Sequence, residues 1–296
     1  MSYTSFEQLL AAAALHGSLS EAAIVLECEE TGATRDEVVS RLSDSLAVME
    51  AAVERGLTEE LRSRSGLVGG DARKLARAKP RVSDPVFAAA LARALAGAEI
   101  NACMGRVVAA PTGGASGVLP AVLLTTAERL SAPRDRTVLA LAAAGAVGGV
   151  IAARATLSGA AGGCQAETGA ASAMAAAAAV ELAGGSPEQS GHAAAFALQG
   201  LLGLVCDPVG GLVEVPCVAR NATATAVALA AVEMALAGLR FPVPLDEVVD
   251  AMGQVGRSLP PSLRETALGG LAATPAAQRL APRHDSGYRR DRDEGE

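Results

Sequence analysis

Apolar residues recur at helical spacing along most of the chain. Val38, Leu42, Leu46, Met49 and Val53 follow one another at steps of four, four, three and four, which lines them along one helix face. "TRDE" (34–37) precedes that run with capping-box spacing, and Gly56 reads as its stop. "TSFE" (4–7) carries the same start signal for an earlier helix, with Gly17 as its stop. "SDPVFAAALARALAG" (83–97) predicts a short helix capped by Ser83 or Asp84. "SPEQ" (186–189) places Ser186 as N-cap and Pro187 at the first helical position. Apolar helices are also predicted in 218–238 and within "FPVPLDEVVDAMGQVGRSL" (241–259).

Between these segments lie two glycine-rich stretches, "RSGLVGGDARKL" (64–75) and "VVAAPTGGASGVLPAVLL" (107–124), which read as loops leading into helices. Sustained apolar–polar alternation is hard to find, so the expected fold is all-α: one domain over 1–282, followed by a charged tail, 283–296, expected to be disordered. "TVLALAAAGAVGGVIAA" (137–153) has no charge, but it is bounded by Arg136 and Arg154 and diluted by glycine. It falls short of the roughly 20 mainly apolar residues of a spanning helix. It reads as a buried helix, so no membrane partner is expected.

Composition narrows the chemistry. Half of the residues are hydrophobic and only 2% aromatic, with no Trp, so Ala, Leu and Val must build the core. The net charge of −7 leaves no electrostatic footprint for nucleic acid. Only Lys74 and Lys79 are lysines, so lysine-bound pyridoxal phosphate would have to use one of these two. The N-terminus lacks a signal-peptide pattern, and the five cysteines are spaced too unevenly for a disulfide framework. In a cytoplasmic chain such thiols serve structure, metal binding or catalysis.

Three cysteines stand in unusual company. Cys164 follows Gly162 and Gly163 at the start of an Ala-rich helix, and Cys206 and Cys217 bracket a loop holding Pro208, Gly210, Gly211 and Pro216. A helix N-terminus favours the thiolate that metals require. Spacing alone leaves two readings open, a shared metal site or buried thiols that merely fill space, because no CxxC signature is present.

"APTGGASGVLPAVL", "GCQAETGAASAMAAA", "GGSPEQ", "GLVCDPVGGLVEVPCVARNA" and "RETALGGLA" resemble the motifs of iron–sulfur-dependent L-serine dehydratase, α subunit. The likeness extends to "LAVMEAAVERGL" (46–57) and "SGLVGGDARKL" (65–75), and the gaps of 42 and 11 residues between the three cysteines resemble those of the family's cluster ligands. The resemblance implies that Cys164, Cys206 and Cys217 hold a 4Fe–4S cluster with one iron free of protein thiolate, which acts as Lewis acid on the β-hydroxyl of L-serine. The implied products are pyruvate and ammonia. The two glycine loops suit the substrate carboxylate, because exposed N–H groups in such turns form anion nests; they can equally be tight turns. Ser65, Asp71, Thr112, Gly113, Gly114, Ser116 and Asn221 are the candidates there.

A base is harder to find. None of His16, His192 and His284 lies in a glycine loop beside the cysteines, which leaves Lys74, provided desolvation lowers its pKa, with Asp71 beside it. Arg220, Asn221, Arg264 and Glu265 fall in resembling motifs, with Arg220 and Asn221 as donors to cluster or substrate and the Arg264–Glu265 pair without an assigned role. Cys28 and Cys103 fall outside those motifs and read as structural. Single-chain members of the family carry a further segment with a Ser-Ser-His-Thr stretch that is missing here, so the resemblance implies a separate β subunit that completes the pocket; association of several copies stays open. The alternatives are a pyridoxal-phosphate dehydratase using Lys74 and a non-catalytic helical scaffold or binding subunit.

Overall fold

The computed structural model describes residues 3–280, and the 283–296 tail with His284 lies outside the described residues. The fold is all-α. In chain order the helices are α1 Phe6–His16, α2 Leu19–Thr31, α3 Arg35–Thr58, α4 Asp71–Arg77, α5 Pro85–Ala102, α6 Val118–Leu130, α7 Arg134–Arg154, α8 Gly159–Gly162, α9 Thr168–Leu182, α10 Pro187–Gln199, α11 Cys217–Leu236, α12 Leu245–Ser258 and α13 Pro275–Leu280. Among the described residues the nearest thing to a strand is one isolated parallel bridge between Cys206 and Arg264.

Helix α9 is the centre. Every residue of it except Glu181 is buried, and α6, α7, α10 and α11 pack around it. A helix that is apolar on all sides has no solvent face to offer and must be enclosed. Because its side chains are nearly all alanine, the neighbouring backbones come close.

Glycine makes the closest crossings. A Cβ on Gly56 would stand 2.5 Å from the Ala96 carbonyl oxygen, and one on Gly117 would stand 2.1 Å from that of Ala94. Gly56 does not end its helix as the pattern predicted: α3 runs on to Thr58, and α5 extends past Gly97 to Ala102. Each glycine is there so that another chain segment can lie against the backbone.

The caps are mostly local. Thr34 and Glu37 form the predicted capping box, Asp84 caps α5, and Ser186 with Gln189 caps α10. The first helix starts one residue later than expected: Ser5, not Thr4, is the N-cap and accepts from the Gln8 N–H. Helix α7 is long and apolar enough to cross a membrane, but 61% of its apolar window is buried inside the fold. Its end is tied down by Arg154, which donates to both carboxylate oxygens of Asp250 at 3.0 and 2.6 Å.

Candidate functional site

Three helices begin at one place. Asn221, on the first turn of α11, accepts from the Gly117 N–H at 3.0 Å and donates to the carbonyls of Gly114 at 2.7 Å and Cys217 at 2.9 Å. It thereby ties the "PTGGASG" loop ahead of α6 to the start of α11. Across the same loop, Thr112 Oγ1 donates to Glu167 Oε1 at 2.8 Å, at the entrance of α9. The N-terminal ends of α6, α9 and α11 therefore meet, and their partial positive charges favour anions there.

The cysteines lie at these ends. Cys164 opens a 3-10 turn just before α9, Cys217 is the first residue of α11, and Cys206 lies in the loop between α10 and α11. Each is held from behind. Gln165 is fully buried, donates to the carbonyls of Gly162 at 2.8 Å and Met252 at 3.1 Å, and accepts from Gly203 N–H at 2.9 Å. Gly163 has φ +78, and a Cβ there would stand 2.8 Å from the Leu204 carbonyl oxygen, so the turn carrying Cys164 requires glycine. Cys206 N–H donates to Leu263 O at 2.9 Å, and Glu265 N–H donates to Cys206 O at 2.7 Å. Arg220 donates to Val205 O at 2.8 Å and pairs with Asp207 at 2.8 Å, while Asp207 also receives the Leu271 N–H at 2.6 Å.

Glu167 stands among the thiols. Its Oε2 lies 3.8 Å from Cys206 Sγ, and a Cβ on Gly159 would come within 2.3 Å of that oxygen and 3.1 Å of the sulfur. Glycine at 159 keeps that space clear for the carboxylate and the thiol. Burial, opposed in part by the Thr112 hydrogen bond, raises the carboxyl above the usual range, and the charge of Glu265 adds to the effect.

All three thiols are pushed up, burial first in each case. Cys217 rises to about 12, and Cys206 rises further, with Glu167 and the other two sulfurs adding to burial. Cys164 is raised too, against the hydrogen bond with Thr168 and the charge of Arg220. In the protein alone, then, burial outweighs the helix ends that were expected to lower these thiols.

That electrostatic conflict is the test of fit for a metal centre. Three mutually repelling sulfurs, two buried and one half-buried beside the starts of α9 and α11, are stable as thiolates only against substantial positive charge, which a soft metal centre supplies. Among the described residues no three His, Cys, Asp or Glu side chains close around a point small enough for one ion. Cys164, Cys206 and Cys217 would supply the thiolates that an iron–sulfur cluster requires. The residues present fit that group.

The two glycine loops differ. In the first, Glu99, fully buried, accepts from the N–H groups of Gly70, Asp71 and Ala72 at 3.1, 2.7 and 3.3 Å. The nest expected to take a substrate carboxylate is thus filled by the chain's own. Ser65 donates its hydroxyl to Glu214 and its N–H to the same carboxylate at 3.2 Å. Asp71 and Lys74 are solvent-exposed and paired with each other at 2.7 Å. Their hydrogen bond raises the Lys74 pKa, so the desolvation needed to make it a base is missing. Lys79 is exposed as well.

In the second loop, among the described residues, the N–H groups of Gly113 and Gly114 meet no acceptor. A Cβ on Gly114 would lie 3.6 Å from Glu167 Oε1, which places Gly114 beside the carboxylate. Ser116 is buried with its hydroxyl unpartnered among the described residues, and Asn221 is wholly occupied with holding backbone. Arg264 is paired through its backbone with Cys206, and its buried Nε has no partner among the described residues.

His16 closes α1 and His192 lies within α10, neither on an element that carries a cysteine of the trio. Cys28 lies at the edge of a small apolar cluster, and Cys103 ends α5, where the charges of Glu99 and Glu214 add to burial in raising its thiol. Sequence reasoning missed Glu167, Glu99 and Glu214. The signal for the first two was a single carboxylate inside an otherwise small and apolar run, "GCQAETGA" and "AGAEINAC", since such a charge must find partners when buried.

The chain matches the model of the family described as "Serine dehydratase alpha chain" over residues 16–272. It is 50% identical over 265 residues to the "Probable L-serine dehydratase, alpha chain" of Bacillus subtilis, covering 88% of each chain. Against the "L-serine dehydratase, alpha chain" of Peptoniphilus asaccharolyticus it is 42% identical over 257 residues, covering 86% of this chain and 88% of that one. It is also 43% identical over 260 residues to the "L-serine dehydratase" of Streptomyces coelicolor, covering 86% of this chain but 57% of the longer relative. With thiols, carboxylate and loops assembled as described, the chain belongs to the serine dehydratase alpha chain family.

Proposed function

We propose that this chain is the cluster-holding subunit of an L-serine dehydratase, a lyase that removes water from L-serine; the aminoacrylate formed then hydrolyses to pyruvate and ammonia. The contact of Cys206 with Glu167, together with the charge coupling of Cys164, Cys206 and Cys217 to one another and to Glu167, supports the reading. When bound, a 4Fe–4S cluster with one iron free of protein thiolate supplies a Lewis acid that makes the β-hydroxyl a better leaving group.

The chain's own residues do the rest. The Gly113 and Gly114 N–H groups and the Arg264 guanidinium receive the substrate carboxylate. Glu167 accepts the α-proton at a carboxylate oxygen, and Thr112 orients it through the 2.8 Å bond to Oε1. A separate β subunit, in the place of the extra length of the Streptomyces relative, completes the pocket, and an oxygen-sensitive centre suits the reducing cytoplasm.

The test is anaerobic reconstitution with iron and sulfide, followed by iron analysis and a serine-to-pyruvate assay with the partner chain present. The parent protein is expected to take up about four irons, and each single Cys→Ser change at 164, 206 or 217 to lose most of that iron and at least about 10²-fold of turnover. Full iron content and turnover in all three variants would sink the proposal. The pyridoxal-phosphate alternative predicts instead that Lys74→Ala abolishes turnover while iron has no effect.

A further inference from the structure

Glu214 is 3% exposed, and among the described residues it has no ion pair. Its carboxylate is held by three hydrogen bonds from one loop: Ser63 Oγ at 2.6 Å, the Ser65 N–H at 3.2 Å and the Ser65 hydroxyl. That loop lies about 150 residues earlier in the chain, between α3 and α4. It has no regular secondary structure, so its shape depends on what it encloses. Ser63 N–H donates to Val68 O at 2.9 Å, Val68 N–H donates to Ser63 Oγ at 3.3 Å, and Leu67 N–H donates to Ser65 Oγ at 3.1 Å. Both hydroxyls that grip Glu214 are thereby fixed in position.

At its other end Glu214 belongs to the cysteine loop. Its carbonyl accepts the Val218 N–H at 2.9 Å, a bond that closes the turn into α11 around Cys217. The next residue, Val215, accepts from Val209 N–H at 2.8 Å, tying the two sides of the loop together. A carboxylate three residues ahead of a thiol is thus bonded to a distant, rigid loop, while the backbone between them has little freedom.

We infer that Glu214 is a positioning residue for Cys217: it bolts the Cys206–Cys217 loop to Ser63 and Ser65 and so sets where that sulfur stands. A buried carboxylate without a cation is costly unless its hydrogen bonds are complete. Here they are supplied by one short segment, so the same bonds that stabilise the charge also set the geometry. The inference rests on the reading of Cys217 as a ligand, yet it concerns the protein alone and can be measured there.

The experiment is site-resolved alkylation of the full, metal-free chain with N-ethylmaleimide under anaerobic conditions, read by mass spectrometry, with Cys164 as internal standard. Glu214→Ala is expected to speed alkylation of Cys217 by about tenfold or more, the size that loss of several buried hydrogen bonds produces, with Cys164 unchanged. Ser65→Ala, which removes one donor and spares the carboxylate, is expected to give about threefold. Glu214→Gln, which keeps the shape, is expected to restore much of the parent rate. It also serves as the folded comparison should the alanine variant fail to fold. After reconstitution, the rate of iron loss in air is expected to rank the variants in the same order. Unchanged Cys217 reactivity in Ser65→Ala and in folded Glu214→Ala, or equal acceleration at Cys217 and Cys164, overturns the inference. If the parent chain takes up no iron, the cluster reading fails by itself, and the alkylation ranking still decides the role of Glu214.

Discussion

The two glycine loops share a sequence style and end in opposite states. In 63–72 the backbone donors at the start of α4 are filled by Glu99, and the serines are filled by Glu214. In 111–117 the Gly113 and Gly114 N–H groups stay free among the described residues, beside a carboxylate held by Thr112. Both loops are nests in the backbone sense. What separates them is whether the fold delivers a carboxylate from elsewhere. A filled nest is scaffold, and an open one is a place for a ligand.

Changes in each loop test that division. The largest effect belongs to the open side: Glu167→Gln is expected to lower kcat by about 10²-fold or more, the scale of general acid–base catalysis, with iron content retained. Parent-like kcat would remove Glu167 from the chemistry. On the filled side, Glu99→Ala leaves three N–H groups, that of Ala72 buried, without their acceptor and is expected to cost about 3 kcal/mol, read as a lowered denaturant midpoint. A change within about 0.5 kcal/mol would mean that the first loop does not depend on its internal carboxylate.

Gly114→Ala comes next. Its new Cβ would meet Val213 Cγ1 at 3.2 Å beside the free donors, and an about tenfold fall in kcat/KM is expected, mainly through KM. Glu99 also implies a pH dependence. Burial raises its folded pKa above the unfolded value, so the folded state retains a proton that the unfolded state has released. That contribution is fully present below the ordinary glutamate pKa and is lost as pH rises through the raised one. Unfolding titrations of the parent against Glu99→Gln are expected to differ by a falling slope in that window, present in the parent and missing in the variant. The smallest effect is that of Lys74→Ala, whose side chain is 79% exposed: less than about twofold on kcat, in keeping with a surface substitution.

Legibility followed the range of the interaction. Helix caps at Thr34, Asp84 and Ser186 could be read because donor and acceptor lie within three residues. Gly56 was misread as a stop because a glycine at a helix end and one at a helix crossing look alike along one chain. The difference is made by Ala96, which no local pattern announces. Ser65 and Asn221 are polar and lie in the right motifs, yet their hydrogen bonds are used inside the protein, on Glu214 and on the backbone of Gly114, Gly117 and Cys217. Glu167 was in view as the only charge in a run of small residues. Without the fold, nothing told its position among the thiols from that of a surface carboxylate.

By itself the sequence determined the helical class, most helix starts, the near-absence of aromatic packing and the spacing of three cysteines, because each depends on neighbours in the chain or on composition alone. Only the tertiary structure decided which glycine loop stays open, which carboxylate faces the sulfurs and which residues merely hold others in place. Those outcomes depend on partners 27 to 151 residues apart, and a buried charge or a free N–H is defined by what the fold brings against it, not by its neighbours along the chain.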